Sequence, residues 1–234
     1  GPLNERTTHT MKSRSTVSRR QFLRVTAAGA AAGLAGSSAL SRRGLADPSS
    51  AQAKACQDKG YQVGIYTRPW SKFDYRVAFD AIADAGFKHA GLMTTKSKTR
   101  LVISVETTEK EAAQVADELR QRDLQVPSVY GGRIPVGESV EAGVEGLKRL
   151  IDNCAVCEAK SLLMGGMPKE ALYEPYYEAI ARCCDYAAER GMTITVKPHG
   201  GLNATGPQCR KAVERVDHEN FGVWYDPGNI YYYS

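Results

Sequence analysis

The stretch MTITVKPHGG, residues 192–201, decides how this chain is read. Met-Thr-Ile-Thr-Val alternates apolar and polar positions with the period of two expected of a β-strand. The strand then delivers Lys197 and His199, two residues apart and so on one face, onto Pro198 and the pair Gly200-Gly201. Two other alternating or apolar runs end the same way, at Gly131-Gly132 and Gly165-Gly166, and the first glycines of the three pairs lie 34 and 35 residues apart. That interval is the length of one strand-plus-helix unit. A fourth run, FGVWYDPGN (221–229), ends in Asp226-Pro-Gly-Asn229.

Between these ends the text alternates. YQVGIYT (61–67) reads as a strand, and SKFDYRVAFDAIADAGF (71–87) as a helix with apolar residues at helical spacing and a glycine near its end. HAGLMTT (89–95) is a second strand. A basic loop carrying Lys96, Lys98 and Arg100 leads to Thr107-Thr108-Glu109, a helix entry, and to AAQVADELRQRDL (112–124). Then follow strand QVPSVYGG, helix SVEAGVEGLKRLIDNCAVCEA, strand SLLMGGM, helix EALYEPYYEAIARCCDYAAERG, the opening strand, helix PQCRKAVERVDHEN and the last strand. Strict alternation of this kind predicts a parallel α/β sheet of βα units. A row of glycine-rich strand ends matches the mouth of a (β/α)8 TIM barrel at the carboxyl ends of its strands, where the active sites of such barrels lie. Tight βα turns alone would also call for glycine there. A doubly wound open sheet competes, but it carries a phosphate-binding glycine fingerprint after its first strand, and GIYTRPW (64–70) has none. A closed barrel takes eight strands and about 250 residues. Residues 61–234 supply six, so the expectation is a barrel truncated after strand six, or a fragment that another chain completes.

Composition bounds the function. The 234 residues are 42% hydrophobic and 24% charged, enough for one large globular domain. The formal charge of +5 is concentrated at one end. Residues 1–46 hold eight of the 31 basic groups and one of the 26 acids, leaving 23 basic and 25 acidic groups in 47–234. A body this close to neutral gives no electrostatic reason to expect nucleic acid. The basic end has its own explanation. SRRQFLR (18–24) sets twin arginines before Phe-Leu, a mild Ala/Gly-rich run follows, and Gly44 and Ala46 occupy small-residue cleavage positions. The pattern resembles a twin-arginine (Tat) export signal. Residues 1–46 are therefore expected to be tag or upstream residues plus a removable signal, and 47–60 a linker. The domain of 61–234 is then exported or periplasmic. The apolar run of the signal is short for a bilayer span, so no stable membrane anchor is expected after cleavage. The six cysteines include Cys154-x-x-Cys157 and the adjacent Cys183 and Cys184, all within helical patterns. Buried thiols acting as small hydrophobes are the simpler reading; zinc and a redox pair are the alternatives.

The strand-five and strand-six ends, with the order of units and the helix ending in DAGF (84–87), carry a resemblance to the xylose isomerase-like TIM-barrel family of sugar isomerases, epimerases and inosose dehydratases. It covers about 61–234. The resemblance implies a divalent metal (Mn, Mg or Zn) held by a Glu on strand five, an Asp on strand six, a His on strand seven and a Glu on strand eight. Here Asp226 matches the strand-six ligand, Lys197 stands where the strand-five Glu is expected, and Asn229 stands where a substrate-binding His often follows the Asp. The last two ligands have no counterpart within the six strands. An ammonium has no lone pair and repels a metal that prefers hard oxygen ligands. Three outcomes stay open. In one, His199 takes over as metal ligand beside Asp226 while Lys197 binds a substrate oxygen. In another, no metal is held and Lys197 acts as base or forms an imine with a sugar carbonyl. In the third, the site only binds carbohydrate.

The leading expectation is an exported sugar isomerase or epimerase that abstracts a proton next to a carbonyl, with Lys197 and His199 catalytic and Asp226 and His199 at the metal. A keto-sugar lyase or dehydratase and a non-catalytic carbohydrate-binding barrel are the rivals. Tyr66 and Arg68 after strand one, Tyr130 and Arg133 about the third strand's glycines, and Trp224 and Asn229 are candidate substrate contacts. Asp-Pro-Gly is also a strong turn former in its own right, and aromatic residues at such spacing commonly belong to the core. The sequence names no sugar and no oligomeric state.

Overall fold

A computed structural model describes residues 61–233. The expected tag or upstream residues and signal (1–46) and linker (47–60) lie outside the described residues. Six strands alternate with helices: β1 (Gly64–Tyr66), α1 (Tyr75–Asp84), β2 (His89–Gly91), α2 (Glu109–Gln121), β3 (Val129–Gly132), α3 (Val140–Val156), β4 (Ser161–Met164), α4 (Tyr173–Ala181), α5 (Cys184–Ala188), β5 (Thr193–Val196), α6 (Gly206–Val216), β6 (Phe221–Val223) and α7 (Pro227–Tyr233). Short 3-10 turns sit at Arg68–Trp70, Glu170–Leu172 and Gly201–Asn203.

Every pairing is parallel. β1 pairs with β2, and β3, β4, β5 and β6 form a second ladder in sequence order. Bridges His89–Gln125 and Leu92–Val129 join β2 to the segment leading into β3. The spatial order therefore follows the chain without reversal. A doubly wound sheet needs a reversal at its switch point, so the strand order decides for the barrel arrangement.

Local chemistry fixes the helix boundaries. Asp74, Thr108, Ser139 and Thr205 stand extended at the helix starts, each accepting a hydrogen bond from a first-turn N–H. Thr108–Glu111 and Thr205–Gln208 close full capping boxes. One expectation changes. The helix read across 170–191 is a 3-10 turn followed by two α-helices, broken at Arg182–Cys183, and nothing in the structure explains the break.

The core lies between the strands and the helix layer. Leu162, Met164, Ile194 and Val196 from the strands pack with Phe79, Leu119, Leu147, Leu150, Ile151, Tyr176 and Tyr177 from the helices. Cys154, Cys157, Cys183, Cys184 and Cys209 are buried in this layer as free thiols. Burial pushes Cys157 and Cys184 up to about 12 and Cys183 up to about 11. These thiols are packing groups, and no three His, Cys, Asp or Glu side chains converge on a metal position among the described residues. Among the described residues no helix is long and apolar enough to cross a membrane.

Candidate active site

The carboxyl ends of the strands gather the residues that the sequence singled out. Lys197 leaves β5 on the face of Thr195, anchored by its backbone N–H to the Met164 carbonyl at 3.2 Å. Its residue is 6% exposed. The ammonium lies 3.9 Å from the Asp226 carboxylate and 5.7 Å from the centre of the Tyr130 ring. That separation from Asp226 makes an ion pair but not a hydrogen bond. The buried ammonium thus has three donors and no hydrogen-bonded acceptor among the described residues. Burial pushes Lys197 below its ordinary value, Asp226 opposes that fall and Arg68 adds to it.

Asp226 has two duties. Its Oδ1 accepts from the Asn229 N–H at 2.9 Å, capping α7, while Oδ2 faces Lys197. The turn-forming reading of Asp-Pro-Gly is realised, and the carboxylate expected at a metal faces an ammonium. Asn229 does something other than expected: its Nδ2 donates to the Pro198 carbonyl at 2.8 Å and clasps the β6 loop to the β5 loop. The side-chain donor assigned to substrate is spent on backbone.

His199 stands exposed at the rim, its ring 5.6 Å from that of Tyr233. Desolvation, then the positive charges of Lys197 and Arg68, lower its pKa from the ordinary imidazole value, so the ring is neutral at pH 7. Its backbone N–H donates to the Asn203 carbonyl at 2.9 Å, and the Asn203 side-chain amide donates to the Lys197 carbonyl. Asn203, 2% exposed, therefore ties down the segment that presents both Lys197 and His199. Sequence reasoning missed it, because nothing local marks one Asn in a polar turn as the buried brace of another loop.

The aromatic candidates are held by glycines. The Tyr66 ring crosses Gly91, where a Cβ would lie 2.5 Å from it, and the Tyr130 hydroxyl sits over Gly165, where a Cβ would lie 2.8 Å away. Each tyrosine at a strand end thus lies across a glycine at the end of the next strand. Gly91 escaped notice; the signal was present as an aromatic–glycine pair one βα unit apart. The glycine doublets serve packing and turns: Gly132, Gly166, Gly200 and Gly201 all have positive φ, and Gly131 makes room for Leu150 and Leu162. Trp224 meets Tyr66 edge to face at 6.3 Å, closing one side of the mouth. The Tyr66 and Ser128 hydroxyls are buried beside one another, and neither has a further hydrogen-bond partner among the described residues. Two hydroxyls with unused hydrogen-bonding capacity mark a place for a polar ligand or water.

Arg68 and Arg133 flank Tyr130 and offset the upward push that burial gives its hydroxyl. Both are exposed and neither has an acidic partner among the described residues. The strand ends thus bring together Tyr66, Arg68, Tyr130, Lys197, His199 and Asp226. A cavity of about 330 Å³ at the opposite, amino ends is lined by Gln62, His89, Gln125, Cys157 and Lys160. Arg120 and Glu158 line it as well, and none of the strand-end candidates does.

A family model described as xylose isomerase-like TIM barrel matches residues 79–234. The chain belongs to the xylose isomerase-like TIM barrel family. Among solved structures, it is similar to a xylose isomerase-like TIM barrel protein from Mycobacterium smegmatis in complex with magnesium, with TM-score 0.60 and 14% identity over 74% of this chain and 66% of that one. It is similar to a D-psicose 3-epimerase solved in the presence of D-fructose, with TM-score 0.54 and 14% identity over 70% of this chain and 62% of that one. It is also similar to a probable 3-DHS dehydratase from Bacillus anthracis, with TM-score 0.52 and 14% identity over 70% and 65% of the two chains. No match is found among curated proteins. The chain thus spans less than two thirds of the length of these family structures. Sugar epimerases and a dehydratase share the fold.

The magnesium of the Mycobacterium protein invites a test of the donors here. Asp226 is a hard oxygen ligand, but its free oxygen faces an ammonium, and His199 is the one other donor among the expected pair. Among the described residues the set does not fit a divalent metal: the expected Asp226–His199 centre lacks a third donor and holds a resident cation instead.

Proposed function

We propose that the mouth binds a carbohydrate and moves a proton at the carbon next to its carbonyl. The observation that carries this reading is the Lys197 ammonium, buried 3.9 Å from Asp226 with its donors unfilled. Burying a charge is costly unless something in the site uses it. A carbonyl oxygen that gains negative charge as its neighbouring carbon loses a proton is such a user, and a preplaced cation in a water-poor site stabilises it. His199, neutral at pH 7, is the base that takes the proton. Tyr66 and Tyr130 offer a buried hydroxyl and an aromatic face to the ring of the sugar. Return of the proton to the other face of the carbon, or to the adjacent carbon, gives epimerisation or isomerisation; loss of a β-hydroxyl gives a dehydratase.

The test is exchange of substrate C–H for deuterium, followed by NMR in D2O across a panel of ketoses. Exchange into at least one sugar that Lys197→Met abolishes is the expected result. Binding without exchange in any sugar selects the carbohydrate-binding reading, and no binding rejects both. The twin arginines at 19 and 20 carry a separate proposal of export, supported by sequence alone; a mature amino terminus near residue 47 in a periplasmic fraction is expected, and recovery of uncut protein in the cytoplasm refutes it.

A further inference from the structure

The two capping boxes of this chain differ in one residue. At α2 the third helical position is Glu111, whose Oε2 accepts from the Thr108 N–H and from the Thr108 hydroxyl, both at 2.8 Å. At α6 it is Gln208, whose Oε1 accepts from the N–H groups of Ala204 and Thr205, both at 2.9 Å, and from the Thr205 hydroxyl at 3.2 Å. A glutamate would serve this helix start at least as well, since its charge also answers the helix dipole. The glutamine does something more. Donors converge on one end of its amide, so that end is the oxygen and the other is the NH2 group. That group donates to the Gly201 carbonyl at 3.0 Å. A carboxylate has no hydrogen with which to make this bond.

Gly201 opens the 3-10 turn Gly201–Asn203, and Gly200 and Gly201 both have positive φ, 81° and 56°. Two such glycines in a row give the turn little conformational preference of its own, so its place is set by contacts from outside. Its last residue, Asn203, presents both acid–base candidates: the side-chain amide donates to the Lys197 carbonyl, and the Asn203 carbonyl accepts from the His199 N–H at 2.9 Å. From α4 the Tyr177 hydroxyl donates to the Asn203 Oδ1 at 3.4 Å. From α6 Gln208 holds Gly201. We infer that Gln208 is a positioning residue of the mouth: its amide clasps the 201–203 turn to α6 and, through Asn203, sets where Lys197 and His199 stand. Glu111 is the internal contrast, because among the described residues its side chain bonds to Thr108 alone. The inference rests on the proton-transfer reading above for what the pair does, and goes beyond it by assigning the residue that places the pair.

The experiment separates clasp from cap with two variants of the full chain. Gln208→Glu keeps an acceptor oxygen for Ala204 and Thr205 but turns the donor end into an oxygen that repels the Gly201 carbonyl. Thr205→Ala removes the capping hydroxyl and leaves the clasp. Three quantities are measured on each: the urea midpoint, the rate at which the His199 N–H exchanges with solvent, and deuterium exchange into the ketose panel. Gln208→Glu should retain the urea midpoint, expose the His199 N–H to exchange at least about tenfold faster, and lower kcat about tenfold or more at little change in KM, the cost of a small misplacement of reacting groups. Thr205→Ala should lower the midpoint and leave the His199 N–H protection and kcat at their original values. Unchanged protection of the His199 N–H in Gln208→Glu overturns the inference. So does a loss of kcat that follows the urea midpoint equally in both variants, which would make Gln208 a helix cap and nothing more. Faster exchange of the His199 N–H in Gln208→Glu, in a protein that moves no ketose proton, upholds the clasp and defeats the proton-transfer reading beneath it.

Discussion

The helix layer and the strand-end mouth use charge in opposite ways. On the helices, Arg76 and Arg122 both grip Glu118 at 2.6 Å, with Asp80 extending the chain, and Arg190 meets Asp152 at 2.6 Å while stacking 3.4 Å over Tyr186. Each of these three arginines has its carboxylate, and the pairs tie neighbouring helices together. At the mouth, Arg68 and Arg133 are without acidic partners among the described residues, and Lys197 shares one carboxylate at a distance too long for a hydrogen bond. The helix charges have completed their work on folding. The mouth charges are left for something that arrives.

The sharpest way to break that contrast is Lys197→Met. Under the proposed chemistry, deuterium exchange into substrate should drop by about 100-fold or more, the range that a general acid–base or charge-stabilising group supplies. An unchanged rate would put Lys197 among the structural residues. Gly91→Ala tests the shape of the mouth, since its methyl group would fall 2.5 Å from the Tyr66 ring. Urea unfolding should show a loss of roughly 1–3 kcal/mol. Gly222→Ala, which meets nothing within 4 Å, should change stability by less than about 0.5 kcal/mol. Asn203→Ala strips the brace from the 197–203 segment and leaves the Lys197 carbonyl without its donor; a cost of about 1–3 kcal/mol is expected in the same assay.

On the helix side the effects are smaller. Glu118→Gln should cost about 1 kcal/mol, diminish with added salt and leave sugar binding at its original affinity, because Glu118 bridges α1 to the end of α2 far from the strand ends. The smallest effect is that of pH on His199. Its folded pKa lies below the ordinary 6.5, so the unfolded chain binds the proton more readily. Its contribution to stability is therefore present above pH 6.5 and is lost as pH falls below that value. The difference in urea midpoint between wild type and His199→Gln should narrow or reverse on acidification, and a pH-independent difference would refute the assignment.

Much of this was legible in the residues, and unevenly so. The capping boxes at Thr108 and Thr205 and the alternation of MTITV mark element starts and types because hydrogen bonds to the nearest N–H groups and a side-chain period of two are local properties. Lys197, His199 and Asp226 stood out as strand-end residues and do converge. Asn229 did not follow its expected role, since a side-chain amide serves whichever carbonyl lies closest in space, and Pro198 is closer than any ligand. Gly91 and Asn203 went unread for a related reason. Their significance is the ring or the loop that rests on them, supplied by residues on another element.

By itself the sequence determined the succession of strands and helices, their caps, and which side chains reach the strand ends, because each of these depends on neighbours a few positions away. Only the tertiary structure decided that the strands lie in chain order without reversal, that Tyr66 and Trp224 meet from opposite ends of the sheet, and that the Lys197 ammonium faces the Asp226 carboxylate. Those are distances through space between segments far apart in the chain. Electrostatic balance is set by such distances, and no spacing of letters records them.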